Sequence, residues 1–305
     1  MHVVSRSDDV VLSCQLTAGA VRGRLARLGA SIDTILRGHD YPPAVAALLA
    51  ETTALAVVLA GALKYEGRFI LQAQGDGPVP LLVADVSSDG DLRGYARFDD
   101  EKLAAALAGD GAPSVPRLIG SGYLAFTVDQ GADTDRYQGI VELTGATLAD
   151  CAHQYFRKSE QIETAIKIAV RPPQVGQGWR ATGLMLQRMP ASGAPILLED
   201  GEEAWRRAVI LMSTATAAEM VDPELPGDRL LWRLFHEEGV VVSALRPLRA
   251  RCRCSSDRVE TTLRSFPRAE IESMKDEHGR VVVTCEFCMA DYVYADADLD
   301  RLYAA

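Results

Sequence analysis

The sequence Cys252-Arg253-Cys254, followed thirty residues later by Cys285-Glu286-Phe287-Cys288, decides how the C-terminal part of this chain folds. Each short pair can bring two sulfur atoms onto one point. Together the pairs supply four thiolates, which is the ligand set of a closed tetrahedral zinc site. We therefore predict one Zn²⁺ per chain, bound by Cys252, Cys254, Cys285 and Cys288. Oxidation can convert the same sulfurs into disulfides that hold no metal, so the site is either a structural staple or a redox switch.

Two other interpretations of these cysteines stay open. A thiol oxidoreductase of the thioredoxin type needs its CxxC at the N-terminus of a helix, whereas Cys288 is followed by Met-Ala-Asp and the strand-like Tyr292-Val293-Tyr294. A purely structural zinc ribbon on a binding or assembly protein would use the same four ligands. His278 could replace one sulfur, but it precedes Gly279 and is better interpreted as a turn residue.

The remaining cysteines and the N-terminus indicate the compartment. Cys14 and Cys151 lie in strand and helix patterns, which is typical of small buried residues. Asp8 and Asp9 interrupt the N-terminus before an apolar signal region can form. A secreted disulfide scaffold would be shorter and denser in cysteine. We therefore predict a cytoplasmic protein with reduced thiols.

The charge of the chain argues against a nucleic-acid partner. The 305 residues carry a formal net charge of −10. The segment from Cys252 to Ala305 contains seven Lys and Arg against eleven Asp and Glu, a balance of −4. Neutralising phosphates requires clustered Lys and Arg. We predict that the protein does not bind nucleic acid.

The longest apolar run, Ala44 to Leu63, is interrupted by Glu51. Its uncharged part, Thr52 to Leu63, has only twelve residues, whereas a membrane-spanning helix needs about twenty. An Ala-rich helix that is apolar on nearly all sides is typical of one buried between layers of a fold. We predict such a buried helix and no membrane partner.

Short apolar segments separated by turn sequences predict an α+β fold, with an N-terminal domain (residues 1–195) of antiparallel sheets around the buried helix. Thr147 is predicted to cap a helix that runs to about Lys158. The predicted strands are Leu12–Leu16, Phe69–Gln74, Leu81–Val86, Leu92–Phe98, Gly122–Val128, Gly139–Leu143, Thr164–Val170 and Thr182–Gln187.

Beyond a predicted connection at Met189–Pro195, residues 196–250 form a predicted helical linker, and residues 251–305 form the predicted zinc module. One linker helix is predicted to present a single apolar face and to end before Asp222-Pro223; a second is predicted to end at Gly239. The apolar residues singled out on the first helix are Trp205, Val209, Met212, Thr216 and Met220, and those on the second are Leu230, Leu231, Leu234 and Phe235.

Several further segments resemble one family, the heat-shock protein 33 family of redox-regulated holdase chaperones of the bacterial cytosol. The resemblance covers nearly the whole chain in the expected order. Besides the four cysteines, it rests on Gln74–Pro78, Arg93-Gly94-Tyr95, Tyr155-Phe156 with Ser159-Glu160-Gln161, Gly183–Gln187 with Met189-Pro190, and Arg233–Glu238.

The resemblance implies a non-enzymatic, ATP-independent chaperone. In the reduced state the four cysteines would hold zinc and the chaperone would be inactive. Oxidation would form the disulfides Cys252–Cys254 and Cys285–Cys288, release zinc and unfold the linker. The oxidised form would be a homodimer that binds unfolded or partially unfolded client proteins. The implied client surface comprises Trp205, Val209, Met212, Met220, Leu234 and Phe235.

The sequence departs from the family pattern at two residues. Glu163 stands where the family often has proline, and Met289 follows the last cysteine where glycine is common. Neither departure removes a metal ligand. Met289 is expected to restrict the backbone at the second cysteine pair.

Overall fold

A computed structural model describes residues 8–17, 20–108, 114–131, 134, 136–189 and 198–304. The chain divides into two compact units, Met1–Ala250 and Arg251–Ala305. The α+β fold class predicted from the sequence is confirmed. The predicted boundary at residue 195 lies outside the described residues, as does most of the predicted Met189–Pro195 connection.

The first unit contains two sheets. One sheet is formed by β1 (Val10–Leu16), β2 (Val21–Leu28), β8 (Thr164–Arg171), β9 (Arg180–Arg188) and β10 (Val240–Pro247). The other is formed by β3 (Arg68–Gly75), β4 (Leu81–Ser87), β5 (Asp91–Arg97), β6 (Gly122–Asp129), β7 (Tyr137–Glu142) and β11 (Arg249–Ala250). The strand orders are β10-β1-β2-β9-β8 and β11-β5-β4-β3-β6-β7. All described pairings are antiparallel except that of β11 with β5, which is parallel.

The predicted buried helix, α2 (Pro43–Ala60), lies between the two sheets and contacts strands of both. Pro43 stands at its first position, where proline costs no hydrogen bond. The segment Pro43–Ala62 is long and apolar enough to cross a membrane, but 78% of its most apolar window is buried inside the protein. The sheets hide this surface, as expected for the core helix of a folded domain. The remaining α-helices of this part of the unit are α1 (Ala30–Arg37), α3 (Asp100–Leu107), α4 (Val115–Leu118) and α5 (Leu148–Tyr155). A π-helical turn, Phe156–Glu160, continues α5 past the predicted end near Lys158.

Glu51 lies on α2 and is half-buried. Burial raises its pKa to about 7, although a hydrogen bond from the Leu148 N–H acts in the opposite direction. The unfolded carboxyl ionises near 4.5, so the folded state binds the proton more tightly. The protonated Glu51 therefore contributes its full share to the free energy of unfolding below pH 4.5, and this contribution is lost as the pH rises through 7.

We expect Glu51→Gln to raise the free energy of unfolding at pH 8 by about 2 kcal/mol and to change it little at pH 4.5. Urea unfolding followed by tryptophan fluorescence measures this, because all three tryptophans, Trp179, Trp205 and Trp232, lie in the first unit. The exposed Glu101 supplies the control substitution Glu101→Gln. An equal gain in the free energy of unfolding at both pH values would contradict the conclusion that the ionisation of Glu51 destabilises the fold.

The linker helices form a third layer of the first unit. They are α6 (Leu198–Ser213), α7 (Ala217–Met220) and α8 (Gly227–Phe235). Together with one face of the five-stranded sheet they enclose a second apolar core, in which Leu12, Leu16 and Leu184 meet Met212 and Phe235. Because helices cover both faces of that sheet, the seven central residues of β9 are all buried.

Three predictions for the linker are wrong. The face from Trp205 to Met220 does not belong to one helix: α6 ends at Ser213, and Thr216 caps α7 through a reciprocal hydrogen-bond pair with Glu219. Thr216 is exposed as a result. The linker is also not wholly helical, because β10 pairs with β1 at the edge of the five-stranded sheet. The predicted helix end at Gly239 is also wrong, because α8 ends at Phe235 with His236 as its C-cap; Gly239, with a left-handed φ of 68°, ends the turn that leads into β10.

The second unit is small and has a small core. It comprises α9 (Ser256–Arg264), α10 (Arg268–Glu272), β12 (Val281–Thr284), β13 (Asp291–Tyr294) and α11 (Asp296–Tyr303). The two strands form a hairpin. Its buried apolar cluster consists of Leu263, Ile271, Val281, Tyr294, Leu299 and Leu302. A domain of this size rarely gains enough stability from such a core alone and usually needs a metal or disulfides.

Candidate metal centre and linker surface

The structure brings the four predicted ligands together. The Sγ atoms of Cys252, Cys254, Cys285 and Cys288 all lie within 4.8 Å of one another. The Cys252 and Cys285 sulfurs are 3.7 Å apart, and those of Cys254 and Cys288 are 3.3 Å apart. A tetrahedral zinc site with bonds of about 2.3 Å has sulfur–sulfur separations of about 3.8 Å. The cluster therefore has the ligand number, ligand type and size of a four-cysteine metal site.

The second cysteine pair is positioned by the β12–β13 hairpin. Cys285 follows β12 directly, and the chain turns back through Cys288. The Cys285 carbonyl accepts hydrogen bonds from the N–H groups of Cys288 (3.3 Å) and Met289 (2.8 Å), and the Cys285 N–H donates to Ala290 O. The CxxC thus lies in a hairpin turn and not at the start of a helix, which disfavours the thioredoxin-type interpretation.

The first cysteine pair lies in an extended segment just before α9. Ser255 caps that helix by accepting a hydrogen bond from the Arg258 N–H. The Arg258 guanidinium in turn donates to the Arg253 carbonyl at 2.8 Å. These contacts hold the CxC backbone so that both sulfurs face the hairpin turn, since each lies beside a sulfur of the second pair.

The thiols interact electrostatically because they are so close. Burial raises the pKa of Cys252, but hydrogen bonds from the Cys254 backbone and from the other cysteine sulfurs outweigh burial and lower it to about 7. Burial raises the pKa of Cys285 and of Cys288 above the ordinary value. Four thiolates at these distances repel one another, so ionisation of all four requires a cation between them.

The other residues considered as ligands lie elsewhere. The His278 N–H donates to Asp276, and its ring lies 3.6 Å from Glu277, outside the cysteine cluster. Cys14 and Cys151 are buried in the first unit, as their patterns predicted. Burial raises the pKa of Cys14 to about 11 and also raises that of Cys151, which disfavours a reactive thiolate at either residue.

The residues of the predicted linker surface are not equivalent. Met212, Met220, Leu234 and Phe235 are buried in the core between the linker helices and the five-stranded sheet. Trp205 is half-buried and packs against the edge of that core. Val209 is half-buried and is not part of the described cluster. The buried face of α6 is formed instead by Ala204 and Ala208 with Met212, because α6 is rotated relative to the predicted face.

Polar side chains of the five-stranded sheet hold the turn formed by residues 220–225. Arg27 is only 2% exposed and, like Arg180, forms an ion pair with Asp8. Arg27, Arg180 and Thr182 also donate hydrogen bonds to backbone carbonyls of the 220–225 turn. The bonded pairs are Arg27 Nη1–Leu225 O (2.6 Å), Arg27 Nη2–Asp222 O (2.6 Å), Arg180 Nε–Val221 O (2.8 Å) and Thr182 Oγ1–Met220 O (2.8 Å). No pattern in the sequence indicates these contacts, because the acceptors are backbone atoms.

Comparison with known proteins identifies the family. A family model described as Hsp33 protein matches residues 9–295. The chain belongs to the Hsp33 family. It is 45% identical over 287 residues to the 33 kDa chaperonin of Caulobacter vibrioides (strain NA1000 / CB15N), covering 93% of this chain and 94% of that protein. It is 39% identical over 288 residues to the 33 kDa chaperonin of Azotobacter vinelandii (strain DJ / ATCC BAA-1303), covering 93% and 91%.

A solved structure supports the same fold. The crystal structure of the 33 kDa chaperonin (heat shock protein 33 homolog) from Thermotoga maritima matches with a TM-score of 0.81 and 22% identity. The match covers 97% of this chain and 98% of that chain. The sequence resemblance to the Hsp33 family is therefore confirmed, and the protein is a member of a chaperone family.

Met289, which directly follows the last of the four cysteines, has a strained backbone. It adopts a left-handed φ of 57°. That conformation crowds the Cβ of every residue except glycine, at a cost of about 1–2 kcal/mol. The hairpin turn therefore requires a backbone conformation for which methionine is poorly suited.

We expect Met289→Gly to stabilise the metal-bound second unit by about 1 kcal/mol, because relief of the strained backbone exceeds the entropy that glycine adds to the unfolded chain. Zinc retention during urea unfolding measures the change. Met274→Gly is the matched control, since Met274 is exposed and does not have a positive φ. The control should lose stability, and a gain of the same size at both residues would refute the explanation.

Proposed function

We propose that this Hsp33-family protein is a redox-regulated, ATP-independent holdase chaperone, inactive when reduced and zinc-bound. The observation that carries the proposal is the meeting of four cysteine sulfurs in a unit whose buried core has only six apolar residues. Folding of such a unit depends on whatever holds the sulfurs together. A change in sulfur chemistry therefore becomes a change in folding.

In the reduced state, Cys252, Cys254, Cys285 and Cys288 are the proposed ligands of one Zn²⁺. Bound zinc would join the extended segment before α9 to the β12–β13 hairpin and supply an apparent ~10–16 kcal/mol of folding free energy, as in zinc-finger peptides. The four side chains would be thiolates in that state. The acidic second unit offers nucleic acid no evident attraction, in keeping with a protein-binding role.

Oxidation is proposed to form Cys252–Cys254 and Cys285–Cys288. Each disulfide forms when two thiolates lose two electrons to one hydrogen peroxide, which takes up two protons from solvent and becomes two water molecules. The sulfurs then no longer bind metal. With only its small core left, the second unit unfolds.

The chain itself offers a route to the linker. Only Arg251 separates β11 from Cys252, and β11 follows β10 closely. Unfolding of the second unit is proposed to loosen the linker, which is held by the pairing of β10 with β1 and by the carbonyl contacts of the 220–225 turn. Separation of the linker helices from the sheet would expose an apolar surface that includes Met212, Met220, Leu234 and Phe235. That surface, with Trp205 and Val209 at its side, is the proposed site for binding client proteins. The oxidised form is proposed to be a homodimer in the cytoplasm.

One experiment tests the proposal. We expect peroxide treatment with mild heating to release one zinc per chain and, in the same sample, to switch on suppression of aggregation of a thermally unfolding protein. Peptide mapping should find the two disulfides within the short pairs, and sedimentation should find a dimer. Zinc that resists peroxide would favour the structural ribbon, and turnover in a disulfide-exchange assay would favour the oxidoreductase. Disulfides joining Cys252 to Cys285 or Cys254 to Cys288 would overturn the proposed pairing.

A further inference from the structure

A cavity of about 370 Å³ lies in the first unit, between the two sheets and beyond the C-terminal end of α2. Its volume falls within the range of small-molecule sites, about 300–1,000 Å³. Most of its wall is apolar. The wall includes Leu59, Leu63, Phe69, Phe126, Val128 and Phe156. None of the proposed metal ligands or linker residues lines it.

Two arginines supply positive charge at this cavity. Arg22 and Arg24 are both lining residues, and they share one face of β2 because they are two residues apart. Arg22 is exposed, whereas Arg24 is half-buried and its Nε donates to the Gly61 carbonyl. The Nη1 of Arg24 is buried and has no hydrogen-bond partner within the described part of the chain. Buried donors are nearly always paired, so this group indicates a missing acceptor.

The charges around Arg24 do not supply that acceptor. Burial lowers the pKa of Arg24 most, and the neighbouring Arg22 lowers it further. Cys14 acts in the opposite direction, and Arg246 lowers the pKa by less than either neighbour changes it. Among the residues that the structure describes, the one acidic group lining the cavity is Glu160. Its Oε1 already accepts hydrogen bonds from the Tyr137 and Tyr155 hydroxyls, each at 2.7 Å. The cavity thus combines an apolar wall with an unneutralised guanidinium.

We propose that this cavity binds an amphiphilic carboxylate, with its head on Arg24 and Arg22 and its apolar tail along the wall between the sheets. A carboxylate that contacts the part of Arg24 lining the cavity would neutralise its positive charge and that of Arg22, since guanidinium and carboxylate pair through charge-assisted hydrogen bonds. The tail would contact Leu59, Leu63 and Phe126, which offer no polar group. A cationic amphiphile would meet the arginines with like charge and is excluded by the same geometry.

Dodecanoate, used below its micelle concentration, tests the proposal on the reduced, zinc-loaded full chain carrying ¹³C-methyl methionine. Met189 lines the cavity, whereas Met274 is 63% exposed in the second unit and reports non-specific binding. We expect a saturable shift of the Met189 methyl, identified with Met189→Leu, and no shift at Met274. Dodecyltrimethylammonium should leave Met189 unchanged. An unshifted Met189, or an equal response to the cationic amphiphile, would overturn the proposal.

Two variants test separately the contacts of the carboxylate head and those of the apolar tail. Arg24→Met should weaken dodecanoate binding at least about tenfold, because it removes a hydrogen bond between charged groups. Leu63→Trp should weaken it comparably by filling the cavity; Leu63 is 43% exposed, so the larger ring can be accommodated without disturbing the core. Arg206→Met, at a surface ion pair with Glu202, is the control and should bind normally. If Arg24→Met shifts the signals of the other methionines, that variant has disturbed the fold, and Leu63→Trp is then the deciding test. Dodecanoate binding that is unchanged in Leu63→Trp would reject the site.

Discussion

Cys285→Ser is expected to weaken zinc binding by more than about a hundredfold, since loss of outer partners of a metal site alone costs 10–100-fold and Cys285 is a proposed direct ligand. The second unit should then lose its fold, because its six buried apolar residues are too few to hold 55 residues together. Competition with a chelator measures the affinity. Amide exchange at Val281 and Tyr294, which are buried in that core, measures the fold.

Cys151→Ala is the matched control, because it also removes one sulfur but from the buried core of the first unit. The Cys151→Ala protein should still bind one zinc per chain, and the amides of its second unit should stay protected from exchange. The all-sulfur ligand set has a separate test, since an X-ray absorption spectrum that required a nitrogen ligand would bring His278 back as a candidate. Equal zinc loss in both cysteine variants would remove the basis of the proposed site.

Met212→Glu is expected to activate the protein while it is still reduced and zinc-bound. Met212 is 5% exposed in the core between the linker helices and the sheet, so the new carboxylate would be buried without a partner, at a cost of about 3–5 kcal/mol to docking. The linker should open more often and expose its apolar face. Aggregation assays under reducing conditions should show suppression, and amide exchange across residues 198–235 should accelerate while the second unit stays protected.

Ile210→Glu provides the control on the same helix. Ile210 is 57% exposed, so a charge there meets water and should leave both docking and activity unchanged. Val209 is a weaker test than Met212, because it is only half-buried. A Met212→Glu protein whose linker exchanges faster, yet which stays inactive until it is oxidised, would show that the linker does not control client binding.

Local patterns in the sequence were sufficient for much of the fold. The strands around Phe69–Gln74, Leu81–Val86 and Thr182–Gln187 and the buried helix were all predicted, because apolar periodicity and turn residues report burial within a short window. Thr147 caps α5 with Asp150 in the predicted way, since a capping box needs only four consecutive residues. The prediction for the linker was wrong where the pattern was ambiguous. The residues from Trp205 to Met220 fit one face of a single helix, but the capping box at Thr216 begins a new helix.

Other features depend on residues far apart in the chain. The valines at Val240–Val242 favour a strand but do not alternate with polar residues, so they do not show where that strand pairs. The partner of β10 is β1, more than two hundred residues earlier. No pattern in the sequence singles out Arg27, yet it is buried and its guanidinium donates hydrogen bonds to carbonyls 195 and 198 residues away. Backbone carbonyls are the same for every residue, so such contacts leave no trace in a sequence.

The sequence by itself indicated the family, the grouping of the four cysteines and the buried helix, because cysteine spacing and apolar run length are properties of neighbouring residues. Only the tertiary structure decided that each sulfur of one pair lies beside a sulfur of the other and that Met212 and not Val209 is covered. It alone showed that Arg24 has a buried donor with no partner among the described residues. These depend on how sheets and helices pack, and packing brings together atoms whose separation along the chain carries no local signal.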